Sequence, residues 1–335
     1  MRFGSTAMGG GFIILNRWME FAACLFFLSG QAVIAANDPV GSADITLHDA
    51  ARNRDVPLKV YYPKTHETQR FPILIFSHGA GGSKDGYAYL SRYWAANGYV
   101  VLNPTHLGSD KSALKHGRSF YNLKAVKDMV GNKANLVNRP KDITFLLDSL
   151  PRLEEEVPDL KGRIDPTRVG VGGHSFGAYT SMAVAGAKVY HASDPPMDFE
   201  DTRVEAFLVL SPQGPGGWAF KADSWDKVHR PMFMMTGTQD KGLENGEPYK
   251  WRMEAFEHLR PGHKYLAVLQ GANHMDFSDA PFNGKVRSPG VHEWIRRSYL
   301  LFWDAYVKGD RELQRVLKQG DFPRVKGVRV KTQFK

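Results

Sequence analysis

Seven short apolar runs, separated by helical patterns, constrain the fold of this chain more than any other feature. They are Leu58–Tyr62, Pro72–Phe76, Tyr99–Leu102, Arg168–Gly172, Ala206–Leu210, Met232–Met235 and Tyr265–Leu269. Runs this short, rich in branched and aromatic side chains, fit strands buried on both faces. Helical spacing falls near 86–97, 139–150, 176–187, 248–258 and 291–308. Parallel strands need a crossover between them, so strands alternating with helices predict an α/β fold with a mainly parallel central sheet and helices on both faces. No repeat and no Pro/Gly/Ser-rich linker divides the 335 residues. One domain is expected over 40–320, followed by a basic tail, 321–335, carrying Arg324, Lys326, Arg329, Lys331 and Lys335. Two long connections, 107–138 and 188–203, are candidates for a pocket rim or lid, with plain surface loops as the alternative.

Residues 1–36 read as an export signal, because Arg2 and Arg17 precede an apolar run from Phe21 to Ala36 that ends in small residues. Ser29-Gly30-Gln31 interrupt that run, which is shorter than the ~20 residues a spanning helix needs. Cleavage after Ala35 or Ala36 and a secreted or periplasmic location are expected, with an uncleaved anchor as the alternative. The single cysteine, Cys24, lies inside the run. One thiol excludes a disulfide scaffold, a thiolate zinc site and an iron–sulfur cluster. The net charge of +9 favours anionic partners, including loose association with an anionic surface. Lys111, Lys115, His116, Arg118, Lys124 and Lys127 concentrate that charge in the 107–138 connection, although a solvated basic face is the plainer account. No nucleic-acid partner is expected, since no binding motif accompanies the charge.

The chemistry is concentrated in Gly173-His174-Ser175-Phe176-Gly177, which follows one strand and opens a helix of small residues. Glycines permit a tight strand-to-helix turn there, presenting the serine oxygen at a helix amino terminus. Serine is a weak nucleophile unless a base removes its proton and a third group orients that base. His274 follows the last apolar run and is the candidate base; Asp240, in the loop after Met232–Met235, is the candidate acid. Asp223, Asp226, Glu244 and Glu247 are its rivals, since spacing alone does not establish proximity. The glycine-rich turn Gly79-Ala80-Gly81-Gly82 leaves backbone N–H groups accessible, so Ala80 and Phe176 are the candidate oxyanion donors. His106 and Trp218 are read as pocket residues, with Phe220 and Trp225 as further candidates or ordinary core. Trp94 is read as core. His78, His106 and Asp110 form a weaker alternative as metal ligands; no metal and no cofactor is expected.

These segments resemble the α/β-hydrolase superfamily, and within it the branch of platelet-activating-factor acetylhydrolases, chlorophyllases and bacterial polyester hydrolases. The resemblance rests on Phe76 to Gly81, Pro104 to Ser109, Arg139 to Asp142, Gly173 to Gly177, Thr236 to Asp240 and His274 to Asp279. The order Ser175, Asp240, His274 is that superfamily's order of nucleophile, acid and base. The resemblance implies an α/β-hydrolase fold and hydrolysis of carboxylic esters through a serine acyl-enzyme, on a small-molecule, lipid or polyester substrate, without cofactor. It also supports the two oxyanion donors. Ser175 departs from the cysteine of dienelactone hydrolases, and residues 107–138 match no branch member well enough to name a substrate. A peptidase or acyltransferase on the same fold, and a non-catalytic envelope or polymer-binding protein, are the alternatives.

Overall fold

The computed structural model describes residues 38–65, 68–114, 123–243, 245–279 and 288–335. The export-signal reading of 1–36, with Cys24, lies outside the described residues, as do Glu244 and the middle of the 107–138 connection. Strands β1 (Val40–Asp49), β2 (Arg54–Pro63), β3 (Phe71–Ser77), β4 (Val100–Pro104), β5 (Ile164–His174), β6 (Ala206–Leu210), β7 (Met232–Gln239), β8 (Lys264–Asn273) and β9 (Val330–Phe334) form one sheet. Its order is β1-β2-β4-β3-β5-β6-β7-β8-β9. From β4 to β8 every neighbouring pair is parallel, whereas β1·β2, β2·β4 and β8·β9 are antiparallel.

Successive side chains of a strand point to opposite faces, and this sheet buries both. Ile73 and Ile75 of β3, Val169 and Val171 of β5, and Met232 and Met234 of β7 enter one core. It is closed by α2 (Leu123–Val130), α3 (Lys133–Asp148), α4 (Leu150–Glu156), α5 (Phe176–Val184) and α6 (Tyr249–His258). The intervening Leu74, Phe76, Phe233 and Met235 enter the other core. There α1 (Ala88–Ala96), α7 (Pro289–Tyr306) and α8 (Arg311–Lys318) supply Trp94, Tyr299, Phe302, Trp303 and Leu317. Trp94 is fully buried, as its helical spacing predicts. No helix among the described residues is long and apolar enough to cross a membrane.

Several elements differ from the sequence expectation, which placed no helix at α2, α4 or α8 and also misread β9, β1 and α3. The segment read as a basic tail contributes β9, so the domain runs through to Lys335; the two-way backbone bonds between Lys264 and Lys335 (2.9 and 3.0 Å) fix it to β8. Its exposed Lys331 and Gln333 hide the strand from a hydrophobicity reading, while the Phe334 ring rests 5.0 Å from that of Tyr265. Strand β1 escaped for a similar reason, being an edge strand with alternate residues exposed.

Helix α3 begins at Lys133, six residues before the expected start at 139. Asn132 caps it, its side chain accepting from the N–H groups of Ala134 (2.9 Å) and Asn135 (3.3 Å). Pro140 suits a first turn and so suggests a later start, because a proline inside a helix leaves the carbonyl four residues back without its donor. That carbonyl is Leu136, and the buried Tyr179 hydroxyl of α5 donates to it at 2.9 Å. A tertiary hydrogen bond thus replaces the missing intrahelical one and joins α3 to the helix that follows Ser175. Tyr179→Phe should therefore lower the unfolding free energy by about 1–3 kcal/mol, the cost of an unpaired buried carbonyl. Urea denaturation checks this, and unchanged stability would show that the bond contributes nothing.

Candidate active site

All the expected reacting groups sit at the carboxyl ends of parallel strands, the edge where an open α/β sheet holds its ligands. Ser175 follows β5, Asp240 follows β7 and His274 follows β8. The Ser175 hydroxyl lies 2.9 Å from His274 Nε2, and His274 Nδ1 lies 2.8 Å from Asp240 Oδ1. A carboxylate accepts only, so Nδ1 carries the imidazole proton and Nε2 is left to accept from the serine. The other carboxylate oxygen accepts from Ser211 Oγ at 2.6 Å and Thr236 Oγ1 at 2.9 Å. Burial by itself would raise the Asp240 carboxyl, but the Arg252 charge and the His274 contact outweigh it and hold it well below the usual range. Among the rivals, Asp223 is engaged by Tyr190 and Lys188, and Glu247 by Asn245.

His274 is oriented by its own turn. Asn273 accepts from the Met275 N–H at 2.9 Å and Asp276 accepts from the Asn273 N–H at 2.8 Å, a reciprocal cap that starts a short 3-10 turn at His274. Ser175 has φ 57° and ψ −115°, a conformation a side chain rarely adopts. The strain is held by its N–H, which donates to Leu210 at 2.9 Å, and by its carbonyl, which accepts from Gln213 Nε2 at 2.8 Å.

Glycines explain how tightly the turn packs. A Cβ at Gly177 would collide with the Ser77 carbonyl at the end of β3, and one at Gly173 would collide with the Gly177 carbonyl. Gly79 sits so close that a Cβ there would touch that of Ser175 at 3.4 Å. The turn after β3 is therefore pressed against the serine. Neither the Ala80 N–H nor the Phe176 N–H, the first of α5, has a protein acceptor among the described residues.

Beneath this turn lies a buried polar layer that the sequence reading did not assemble. His78 donates from Nδ1 to the Gly79 carbonyl (2.6 Å) and accepts at Nε2 from the His106 N–H (3.0 Å). His106 donates from Nδ1 to Asp142 (2.9 Å) and accepts at Nε2 from Ser77 (3.1 Å). Asp142 also binds Arg52 (2.8 Å) and Arg54 (3.0 Å). Its own burial would raise its carboxyl, but the His106 hydrogen bond and Arg54 hold it down at about 2. Arg139, fully buried, donates to Thr180 (2.9 Å), Ser109 (2.8 Å) and the His78 carbonyl, with its guanidinium 4.4 Å over the Phe176 ring. It thereby ties the turn bearing Ala80 to the helix bearing Phe176.

His106 is consequently not a pocket wall, as expected, but part of the floor: its ring is inaccessible and both nitrogens are engaged. Nor do His78, His106 and Asp110 converge as ligands; Asp110 caps its own loop, and no metal-ligating cluster occurs among the described residues. Trp218 is half-buried, its ring 5.3 Å from Phe176 and from Tyr179 of α5. Phe220 and Trp225 are core. A 460 Å³ cavity lined by Arg70, Leu150, Ile164 and Arg203 lies at the amino end of β5, the opposite edge of the sheet from Ser175.

Sequence reading also missed Ser211, Thr236 and Arg252 around the acid. The two hydroxyls stand at the ends of apolar runs, a detectable signal, whereas Arg252 reads as an ordinary charged residue of a surface helix.

Comparison with known proteins agrees with this architecture. The profile of the alpha/beta hydrolase family matches residues 74–329. The chain belongs to the alpha/beta hydrolase family. It is 24% identical over 306 residues to the platelet-activating factor acetylhydrolase of Cavia porcellus, covering 79% of this chain and 64% of the relative. The Canis lupus familiaris protein of the same name is 23% identical over 247 residues, covering 65% and 50% respectively. The chain thus spans about half to two-thirds of these relatives' lengths. Among solved structures, a ferulic acid esterase from Streptomyces cinnamoneus shares the fold, with a TM-score of 0.56 at 20% identity over 83% of this chain and 93% of that one.

Three buried rings make the fold acid-sensitive. Burial, aided by the Arg139 charge, pushes His78 well below the usual histidine range and His106 down to about 4. Burial likewise lowers His174, whose Nδ1 meets the Tyr87 hydroxyl at 2.7 Å. Below pH 6.5 the unfolded chain binds protons that the folded chain refuses, so stability falls as pH falls from about 6.5 toward 4. Each ring contributes up to about 1.4 kcal/mol per pH unit in that window. Urea unfolding at pH 7, 6 and 5 should show the decline, and His106→Asn should make it shallower by one proton; a flat profile would refute neutral burial.

Proposed function

We propose that this chain is an exported serine hydrolase that cleaves carboxylic esters through an acyl-enzyme. The observation that carries the reading is the unbroken hydrogen-bond relay from Ser175 Oγ through His274 to Asp240. Ser175 Oγ attacks the ester carbonyl while its proton passes to His274 Nε2, and Asp240 holds the tautomer and steadies the imidazolium. The Ala80 and Phe176 N–H groups receive the negative charge that develops on the carbonyl oxygen. His274 then returns the proton to the departing alcohol. Water, activated by the same imidazole, attacks the acyl-serine and releases the carboxylic acid.

Small-molecule or lipid-like esters are the substrate class. The half-exposed Trp218 ring beside Phe176 provides an apolar wall, and relatives named as an acetylhydrolase and an esterase support the same class. The pattern of residues 1–36 supports export to a periplasmic or extracellular site, and the net positive charge would draw the enzyme toward anionic surfaces.

The test is labelling by a fluorophosphonate, read by intact mass, with short-chain p-nitrophenyl ester hydrolysis run in parallel. Wild type should take up one label and turn over the ester. Ser175→Ala should lose both, and His274→Ala should lose turnover by about 10³-fold or more, with Asp240→Asn losing less. An unlabelled wild type, or labelling retained in Ser175→Ala, would refute the assignment.

A further inference from the structure

Oδ1 of Asp240 faces two side chains, His274 and Arg252, and the second has no part in the relay described above. Arg252, in the middle of α6, is buried with a side chain 4% accessible, and its Nε lies 2.9 Å from Asp240 Oδ1. That is the same oxygen that accepts from His274. The guanidinium also donates to the Asp240 carbonyl (3.1 Å), to the Ser211 and Pro212 carbonyls (3.1 and 3.0 Å) and to the Lys241 carbonyl (2.8 Å). Its Nη2 comes within 3.3 Å of His274 Nδ1. One planar fork therefore binds the loops that end β6 and β7 and reaches the base after β8.

We infer that Arg252 is a positioning residue that also sets the acid limit of catalysis, by placing a permanent cation against the Asp240–His274 pair. The inference rests on the hydrolase reading of the site. Arginine does not release its proton in this range, and its rigid fork suits several carbonyls at once. Two consequences follow from the geometry. The fork fixes the loop from which Asp240 projects, and a small misplacement of the base relative to the nucleophile is costly in rate. The cation, 2.9 Å from Asp240 Oδ1 and 3.3 Å from His274 Nδ1, also offsets much of the Asp240 charge as felt at His274, so its removal should change the acid side of the pH profile.

Other groups facing the imidazole do not supply this effect. His174, whose ring lies 4.7 Å from that of His274, is buried and neutral. Asp276 is turned to the Asn273 N–H, and Glu247, the other carboxylate whose charge acts on Arg252, is engaged by Asn245. The Lys241 contact is through its carbonyl. Arg252 is thus the fixed charge of positive sign at the pair among the described residues.

The experiment measures the rate of Ser175 labelling by a fluorophosphonate from pH 5 to 8 in wild type, Arg252→Gln and Arg252→Lys, with circular dichroism at each pH to correct for folded fraction. Using the phosphonate frees the result from the identity of the natural ester. Arg252→Gln should label about tenfold more slowly at pH 8, from lost positioning. Its acid limb should lie about one pH unit above that of wild type, from the lost charge. Arg252→Lys keeps the charge without the fork, so its rate should fall while its acid limb stays in place. A purely structural role would lower the rate of both variants without moving either limb. A limb unmoved in folded Arg252→Gln, or moved equally by lysine, overturns the inference while leaving the hydrolase reading intact. Should Arg252→Gln not fold, Arg252→Met takes its place as the neutral variant, a raised limb supporting the inference and an unmoved one overturning it, while a wild-type rate or a raised limb in Arg252→Lys overturns it as well. Failure of wild type to label at any pH overturns the hydrolase reading, and this inference with it.

Discussion

The backbone of α5 touches the backbone of β3, with nothing but the α-hydrogen of Gly177 between the helix and the Ser77 carbonyl. Much of the site is measured from that contact. It brings the turn carrying Ala80 alongside the turn carrying Ser175, so that the two N–H groups proposed to receive the oxyanion come from separate elements. It also forces the chain to reverse sharply between β5 and α5, which is why Ser175 occupies a positive φ. The strain is sustained because the strands on either side are packed in the middle of the sheet, where β5 pairs with β3 and β6 at once. An elbow of this kind on an edge strand would have a neighbour on one side only.

Beneath the contact, the protein invests charge rather than hydrophobic surface. Arg139, Asp142 and Arg252 are almost entirely buried, and each is connected by several hydrogen bonds to backbone or side chains that shape the site. Such groups are costly to desolvate and costly to leave unpaired, so a fully satisfied network admits few alternative arrangements. Here the arrangement selected adds polar links between the ends of neighbouring elements: β3 with α5 through Arg139, β4 with α3 through His106 and Asp142, and β6 with β7 through Arg252. The same economy explains the neutral histidines. With no room for a second buried cation beside Arg139, the rings of His78 and His106 hold single tautomers pinned by their neighbours.

Much of this was legible in the chain itself, and the reasons are specific. Strands β3, β6 and β7 are buried on both faces, so their sequences are unbroken apolar runs. The elbow is visible because close backbone approach demands glycine at 173 and 177. By contrast, β1 and β9 lie at sheet edges with one side wet, and their polar alternation resembles loop or tail. The start of α3 was obscured by Pro140, whose structural cost is met by Tyr179, a residue 39 positions away in sequence. His106 looked like a pocket residue because it follows a strand in a glycine-containing segment, yet Asp142 and Ser77 draw it into the floor.

The sequence by itself determined the alternation of strands and helices, the turn that exposes Ser175, and the order of serine, aspartate and histidine along the chain, because these depend on local periodicity and on glycine's lack of a side chain. Only the tertiary structure decided which aspartate meets His274, which histidines lie beneath the site, and that Arg252 stands against the acid. Those are distances between residues far apart in sequence, and they are set by how nine strands stack side by side rather than by any run of neighbours.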